Sequence, residues 1–497
     1  MNEQVAANPL GTERVGKLMV RYAIPSIVSI VVNSLYNMVD QIFIGQGVGY
    51  LGNAATNIIL PLTSILLALG MMIGDGAASY MSLSLGKGRT EDAAQGVGNA
   101  VALTVGVSVV LLVLFELFLE PLCHLFGATE GNLPYALEYG SIIVFGFPFA
   151  MIDAAFGSII RADGRPKVSM IGLLIGCATN MILDPIFIFV CHWGVKGAAW
   201  ATIIGQILNA VYFAACMLRF KTIEIKKQHM IPKRSVIKRI LTLGTSSFIS
   251  QVASVFVIAV MNNSLVKYGA MSKYGADIPL AALGITMKVS QLITGIALGI
   301  ATGIQPIFGF NYGSGQYDRV KKTYKLALTS CTLILVAAFF IFQFCPEYII
   351  NLFGQESDLY MEFAVKCFRV YLLACFMIGA GAVTGIFFQA IGKPVPAALL
   401  SLSRQIIFLI PAMLLFGYLW GVEGILWAGP VGDGLSGVIS LMTLGASWKK
   451  VFNKNVSSPS AVNAAAAAIP PTPPTSTAPR TGRPCACRTR STPTRQS

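Results

Sequence analysis

The chain has 497 residues, of which 55% are hydrophobic and only 12% are charged, and its net charge is +14. Soluble domains carry about 25% charged residues, so this composition excludes an ordinary soluble protein and predicts an integral membrane protein. Six basic residues and no acid lie in residues 451–497. The remaining positive charge lies in short loops, which indicates membrane topology rather than nucleic-acid binding.

Apolar segments of membrane-spanning length recur along the chain. Residues 326–344, for example, contain no charged residue, and about 20 apolar residues cross the hydrocarbon core as one helix. We predict an all-α membrane protein with twelve transmembrane helices, at residues 18–45, 54–84, 94–120, 138–161, 168–190, 195–219, 236–266, 280–312, 323–344, 363–390, 396–418 and 424–447.

The loops alternate in charge along this series of helices. The N-terminus and the loops after even-numbered helices are basic, most of all residues 219–239, whereas the intervening loops mostly hold acids or no charge. By the positive-inside rule, both termini and the basic loops are expected on the cytoplasmic side. The N-terminus lacks the apolar core of a signal peptide, so the first helix is expected to remain as an anchor.

The two halves of the chain repeat each other. The stretch RADGRPK at 161–167 matches QAIGKPV at 389–395, and WGVKGAAWA at 193–201 matches WGVEGILWA at 420–428. Six helices per copy give parallel repeats, and transporters built this way bind substrate between the copies. We predict an N-lobe (1–220), a basic inter-lobe loop (221–235), a C-lobe (236–450) and a disordered tail rich in Pro, Thr and Arg (451–497).

Several motifs resemble the MATE family of multidrug and toxic compound extrusion transporters, and its MepA-like bacterial branch in particular. They are NSLYNMVDQIFIG at 33–45, LGKGRTEDA at 85–93, RADGRPK, NMILDPIFIF at 180–189 and WGVKGAAWA, and the match runs over residues 10–450. The resemblance implies a secondary active efflux transporter, with a central cleft, that exports organic cations and other xenobiotics by antiport with Na⁺ or H⁺.

The resemblance also sets the expected surroundings of the protein. They are the bacterial inner (plasma) membrane as a multi-pass monomer, with cationic drugs and the lipid bilayer as partners and no nucleic acid. No cofactor is expected apart from the coupling ion, and a role in antibiotic resistance follows. An enzyme is not expected, because no catalytic constellation occurs and GKGRTEDA lacks the spacing of a P-loop.

Two acids in apolar helices are candidates for ion coupling. Asp40 has no Lys or Arg near it in its own helix, and an acid inside the membrane indicates function. Asp184 lies four residues after Asn180, so both share a helix face, and Thr202 follows on the next helix. Carboxylate, amide and hydroxyl oxygens suit hard cations. The resemblance implies that these four residues hold the coupling cation, with Asp40 and Asp184 as Na⁺ ligands if sodium is used.

The sequence leaves the ion and the role of the second lobe open. Two neighbouring carboxyls in an apolar site can equally share a proton. Asp184 has Ile410 as its counterpart in the repeat, and Asp433 and Gln251 are the C-lobe residues whose part in coupling is undecided. Arg404, near a helix start, is expected to extend to the membrane interface.

A flexible, aromatic cleft suits varied cationic substrates. The candidates for this cleft are Tyr36, Asp75, Asp153, Phe156, Met287, Gln291 and Phe308. Two alternatives remain: an exporter of a natural metabolite or lipid-linked substrate, and a channel or membrane scaffold that performs no uphill transport.

Overall fold

The computed structural model describes residues 8–48, 50–275, 277–351 and 357–452, and these residues contain helices and no strand. Residues 453–497, which include nearly all of the tail predicted to be disordered, lie outside the described part. We number the long helices α1 to α12. Their bounds are Val15–Gly47, Tyr50–Gly86, Thr90–Leu117, Leu133–Phe145 with Phe147–Ala162 as α4, Pro166–Val190, Gly194–Met217, Arg234–Gly269, Asp277–Gly313, Tyr317–Phe344, Asp358–Ala390, Pro394–Leu426 and Ala428–Phe452.

The number of long helices agrees with the twelve predicted segments. Ten of the described helices are long and apolar enough to cross a membrane, and the two halves of α4, bent by 52°, make an eleventh. The helix α12 coincides with the twelfth predicted segment. Each half of α4 begins at a proline in its first turn, where the missing N–H costs nothing. The all-α membrane fold is therefore confirmed.

The internal repeat is visible in the backbone. Glycines with positive φ occur in matched turns of the two halves, separated by the same interval that separates the sequence repeats. These pairs are Gly88 and Gly315, Gly164 and Gly392, and Gly194 and Gly421. Because only glycine adopts this conformation without steric cost, the repeat preserved the turns as well as the helices.

The helices α1–α6 pack among themselves, as do α7–α11 with the first part of α12, and the two sets meet mainly along three helix pairs. The helix α2 packs against α7, α1 packs against α8, and α2 also packs against α8. The repeat relates the first two pairs to each other, because it matches α1 with α7 and α2 with α8. The described chain up to Ala446 forms one compact unit. The lobe boundaries at 220 and 236 stay predictions.

Close backbone contact joins the lobes at one end of the bundle. This end carries the connections at residues 87–89, 163–165, 218–233, 314–316 and 391–393, and we call it the basic end. A Cβ on Gly244 would collide with the carbonyl oxygen of Met72, and one on Gly76 with that of Ile240. Small residues permit such approach between membrane helices. The helix α8 is buried at every position from 299 to 311.

The other half of the bundle is more open. Several positions of α1, α7 and α8 that lie away from the basic end are exposed, including Asn37, Asn262 and Gln291. We use the word cleft for the space between α1, α2, α7 and α8 in this half. The cleft opens away from the basic end.

The inter-lobe loop is fastened to the N-lobe. The side chain of Asn99 in α3 donates to the carbonyl oxygen of His229 (2.9 Å) and accepts from the backbone N–H of Lys233 (2.6 Å). Gln95, one turn earlier, also donates to the His229 carbonyl (3.0 Å), and the His229 ring nitrogen lies 2.8 Å from Glu91. The loop predicted from its charge is therefore held by hydrogen bonds with side chains of α3.

Candidate functional site

The structure brings together the four residues predicted to hold the coupling cation. Asp184 and Asn180 are 0% and 2% exposed on α5. Of the two orientations of the Asn180 amide, one matches donors with acceptors. In that orientation its nitrogen donates to Asp184 Oδ2 (2.7 Å), and its oxygen accepts from the hydroxyl (3.1 Å) and the backbone N–H (3.2 Å) of Thr202. The helices α5 and α6 are therefore joined through polar groups at this point.

Asp40 of α1 completes this cluster. Its carboxyl group and that of Asp184 are close enough to share a hydrogen bond. One oxygen of Asp40, Oδ1, is buried and has no hydrogen-bond partner. Across the described residues, no Lys, Arg or His forms an ion pair with either carboxyl. Two neighbouring acids without a counter-cation are costly in a membrane unless they bind a proton or an ion.

Two tyrosines lie beside the acid pair. Tyr36, one turn before Asp40 on α1, and Tyr139, on the first half of α4, both lie within electrostatic reach of Asp40 and Asp184. Tyr36 was predicted from the sequence to line the cleft. Tyr139 was not predicted, because nothing in the sequence links the first half of α4 to Asp40.

A second polar group lies nearby in the same lobe. The half-buried Asp153 of α4 contacts Asn209 of α6 through its side chain, and its Oδ1 atom is buried with no hydrogen-bond partner. Cys177, on α5, lies near Asp153 and also near Tyr36. Asp153 therefore lies inside the N-lobe, between α4, α5 and α6.

The donor set of the Asp40–Asp184 cluster fits a monovalent cation or a proton. It offers two carboxyl groups, one amide and one hydroxyl, and hard cations prefer such oxygens. The described residues contain no group of three or more His, Cys, Asp and Glu that could hold a metal ion. A divalent ion or a transition metal would lack its usual ligands here. The orphaned Oδ1 atom of Asp40 supplies a free acceptor for the bound ion or proton.

Asp75 lies at the contact between the lobes. It is 4% exposed, and its two carboxyl oxygens accept from Ser158 of the N-lobe (2.7 Å) and Ser247 of the C-lobe (2.7 Å). Two C-lobe glutamines extend the network: Gln389 donates to Ser247 (3.1 Å) and Gln305 donates to Ser79 (2.9 Å). Asp75 therefore joins the lobes in this conformation and does not line the open cleft.

In the described part of the C-lobe, a buried acid forms an ion pair with a half-buried arginine. Arg404 of α11 donates through Nε to Asp433 of α12 (2.7 Å), and Asp433 is 5% exposed. Arg404 lies in a π-helical turn, Ser403–Leu409, and such turns often re-aim side chains. The expectation that Arg404 extends to the membrane interface is wrong, because its charge is satisfied inside the lobe.

Of the remaining residues predicted to line the cleft, two lie in the core and two are at least partly exposed. Phe308 is 0% exposed and packs edge-on against Phe387 (5.2 Å between centroids), and Phe156 is 4% exposed. Neither lines the open cleft in this conformation. Met287 is half-buried, with its sulfur 3.8 Å from the hydroxyl of Tyr371, and Gln291 is exposed.

Most of the residues missed by sequence reasoning are partners of the predicted ones. Ser158, Ser247 and Asn209 are ordinary residues in apolar helices, and only their contacts give them importance. Lys288 could have been noticed in the sequence, because it is a charged residue within a spanning helix.

Comparisons with known proteins agree with this architecture. The MatE family model matches residues 25–186 and 243–414, one segment in each lobe. The chain is 24% identical over 417 residues to "Multidrug export protein MepA" of Staphylococcus haemolyticus (strain JCSC1435), covering 83% of this chain and 89% of that protein. The protein of the same description from Staphylococcus aureus (strain MSSA476) is 24% identical over 429 residues, covering 86% and 92%.

Solved structures share the fold. The structure described as "Crystal structure of MATE in complex with MaL6" has a TM-score of 0.82 and 22% identity, and the match covers 90% of this chain and 100% of that chain. The "Outward-facing conformation of a multidrug resistance MATE family transporter of the MOP superfamily" has a TM-score of 0.81 and 22% identity, over 90% and 98%. The chain thus belongs to the MatE family of membrane transporters, as its motifs indicated, and is not an enzyme.

Proposed function

We propose that this protein exports lipophilic cationic drugs from bacteria by antiport with Na⁺ or H⁺. The observation that carries the proposal is the Asp40–Asp184 pair: two carboxyl groups within hydrogen-bond reach, inside a lobe of the membrane domain, with no counter-cation. Relatives described as multidrug export proteins support the substrate class. No cofactor is needed apart from the coupling ion.

The exchange follows from competition for the same negative charge. With the coupling ion absent, the acid pair attracts a cationic substrate into the cleft between the lobes. Loading the ion or proton neutralises the pair and weakens the hold on the substrate. Because linkage is reciprocal, the substrate lowers the affinity for the ion by the same factor. The coupling ion and the substrate therefore exclude each other from the transporter, which is the requirement for antiport.

Transport also requires the lobes to change their contact. In this structure they are packed together at the basic end and apart at the other. We assign the basic end to the cytoplasm, following the positive-inside rule, so that this conformation faces outward and both termini are cytoplasmic. The protein acts as a monomer in the plasma membrane, since each chain carries both lobes and the complete acid pair.

The test is ethidium efflux from proteoliposomes under a defined gradient. One set of vesicles has only a Na⁺ gradient, and the other has only a pH gradient. The gradient that drives uphill efflux identifies the coupling ion. If neither gradient moves ethidium or a second lipophilic cation uphill, coupled drug export is refuted and a channel or scaffold role gains support.

The variant Asp40→Asn tests the site itself. It removes one charge and keeps the shape, so uphill efflux should fall by about 100-fold or more, the effect of losing a charge-dependent step worth ~3 kcal/mol. Asp318→Asn is the matched control, because Asp318 is a fully exposed acid at the basic end. Membrane abundance of both variants should equal that of the wild type. Full activity in Asp40→Asn would remove the acid pair from the mechanism.

A further inference from the structure

The helix α8 differs from the helices that face lipid. Lipid-facing helices expose large apolar side chains, as α9 does at Leu333 and Phe340. No large apolar side chain is exposed anywhere in α8, and all of its residues are described. A membrane helix without an apolar exposed surface does not contact acyl chains. Its exposed positions must therefore face water.

The exposed positions of α8 form one stripe. They are spaced by four, three, four and three residues, which places them on one helix face. Each is small or polar, namely Asp277, Ala281, Gly284, Lys288 and Gln291. Where the stripe ends, α8 closes onto α1, because a Cβ on Gly295 would lie 2.9 Å from the side chain of Ile30.

A second stripe of exposed polar residues lies on α1, on the side of the Ile30–Gly295 contact that is away from the basic end. Asn33, Asn37 and Gln41 are exposed at intervals of four residues. Because α1 and α8 pack against each other across the lobes, the two stripes line the same cleft. Lys288 lies seven residues before Gly295 and eleven after Asp277, which places it about 16 Å inside the outer end of α8.

Lys288 has no opposite charge in this structure. None of the ion pairs in the described part of the chain includes it. Arg404, another cation within a C-lobe helix, is already paired with Asp433. On the N-lobe side the opposite holds, because Asp40 and Asp184 lack a cation. Among the described residues, the N-lobe thus has two acids without a counter-cation, and the C-lobe wall of the cleft has a lysine without an anionic partner.

We propose that Lys288 is a specificity-determining residue that binds an anionic group, such as a carboxylate, of dipolar substrates. The amine of such a substrate points toward the N-lobe acids, and its carboxylate meets the ammonium group of Lys288. A substrate with only a positive charge gains nothing from Lys288 and is repelled by it. This inference rests on the proposed export function and adds a substrate class to it.

The test compares one rhodamine dye in two forms: the free carboxylic acid, which is a zwitterion, and its ethyl ester, which is a monocation. Binding of each dye to the purified full-length protein is measured by fluorescence. The variant Lys288→Gln should weaken binding of the acid by about tenfold, the effect of one charge-assisted hydrogen bond. Binding of the ester should be unchanged or stronger. Lys288→Arg should retain the preference, and Lys267→Gln removes an exposed lysine of α7 as the control.

A second measurement separates this inference from the proposed function. An amine-reactive reagent that cannot cross membranes should label Lys288, and the acid dye should protect it better than the ester. Equal effects of Lys288→Gln on both dyes, or a Lys288 that is never labelled, would overturn the inference while leaving coupled export of the ester intact. If the wild type binds neither dye, the substrate class and this inference both fail.

Discussion

From the hydrogen bonds of Asp75 we predict how the balance between the conformations closed and open at the basic end will respond to mutation. Ser247 donates to Asp75 across the lobe contact, and Ser158 donates to the other oxygen within the N-lobe, both at 2.7 Å. Opening of the basic end must break the Ser247 bond but can leave the Ser158 bond intact. Removing either serine hydroxyl therefore deletes one hydrogen bond to the same carboxyl group. Only the bond from Ser247 differs between the two conformations.

The expected magnitude follows from the energy of a single bond. A hydrogen bond to a charged group contributes about 1.5–3 kcal/mol. Because Ser247→Ala removes it only from the conformation closed at the basic end, the population open at that end should rise about 10- to 100-fold. Ser158→Ala should lower overall stability by a similar amount but leave the conformational balance unchanged.

The assay measures access to a buried position at the basic end. Ser82 is 1% exposed and packs against Gly309 of the other lobe. In a background without native cysteines, Ser82→Cys should react slowly with a maleimide, and Ser247→Ala should accelerate the reaction in proportion to the open population. Equal rates for the two serine variants would refute the reasoning, because the bond across the lobes would then carry no conformational energy.

Three further substitutions have defined outcomes. Arg404→Gln leaves the Asp433 carboxyl buried without its partner, so stability toward unfolding in detergent should fall by about 3–5 kcal/mol, and adding Asp433→Asn should restore most of it. Gly244→Ala should reduce thermal stability by about 1–3 kcal/mol through overpacking at the lobe contact, whereas Gly106→Ala, with nothing within 4 Å of the new Cβ, should not. Asn99→Ala removes two of the hydrogen bonds that fasten the inter-lobe loop, so trypsin should cleave that loop at least about fivefold faster, since one lost bond costs ~1 kcal/mol or more. An unchanged cleavage rate would show that Gln95 and the His229 ring hold the loop without Asn99.

The N-lobe acid cluster illustrates what local pattern and resemblance can predict together. Asn180 and Asp184 share a helix face because they are four residues apart, and that spacing is legible in the sequence. Their proximity to Asp40 and Thr202 came from the family resemblance, not from spacing. The structure places all four together, although the ion that they bind stays a proposal.

Asp75 and Phe308 show where this reasoning stopped. Both occur in apolar helices predicted to border the cleft, and the sequence does not distinguish the half of a helix that is closed from the half that is open. Asp75 contacts Ser247, which is 172 residues away. Phe308 lies in the stretch of α8 that is buried on every side. Their environments depend on how the lobes meet, which is a property of the whole assembly.

The prediction for Arg404 was wrong for a different physical reason. Counting residues from the helix start placed it near the interface, which assumes a regular helix and a side chain free to extend along it. The π-helical turn at Ser403–Leu409 changes the direction of the side chain, and Asp433 receives it. Neither the extra residue in the turn nor the partner helix is encoded in local hydropathy.

The sequence by itself determined the twelve spanning segments, the charge asymmetry of the loops and the duplication. These depend on transfer of side chains into lipid and on backbone preferences at glycine and proline, which act residue by residue. Only the tertiary structure decided which polar groups became partners, which half of the lobe interface closed, and which charges were left without an opposite. Those outcomes depend on distances between helices that are far apart in the chain, and packing alone sets such distances.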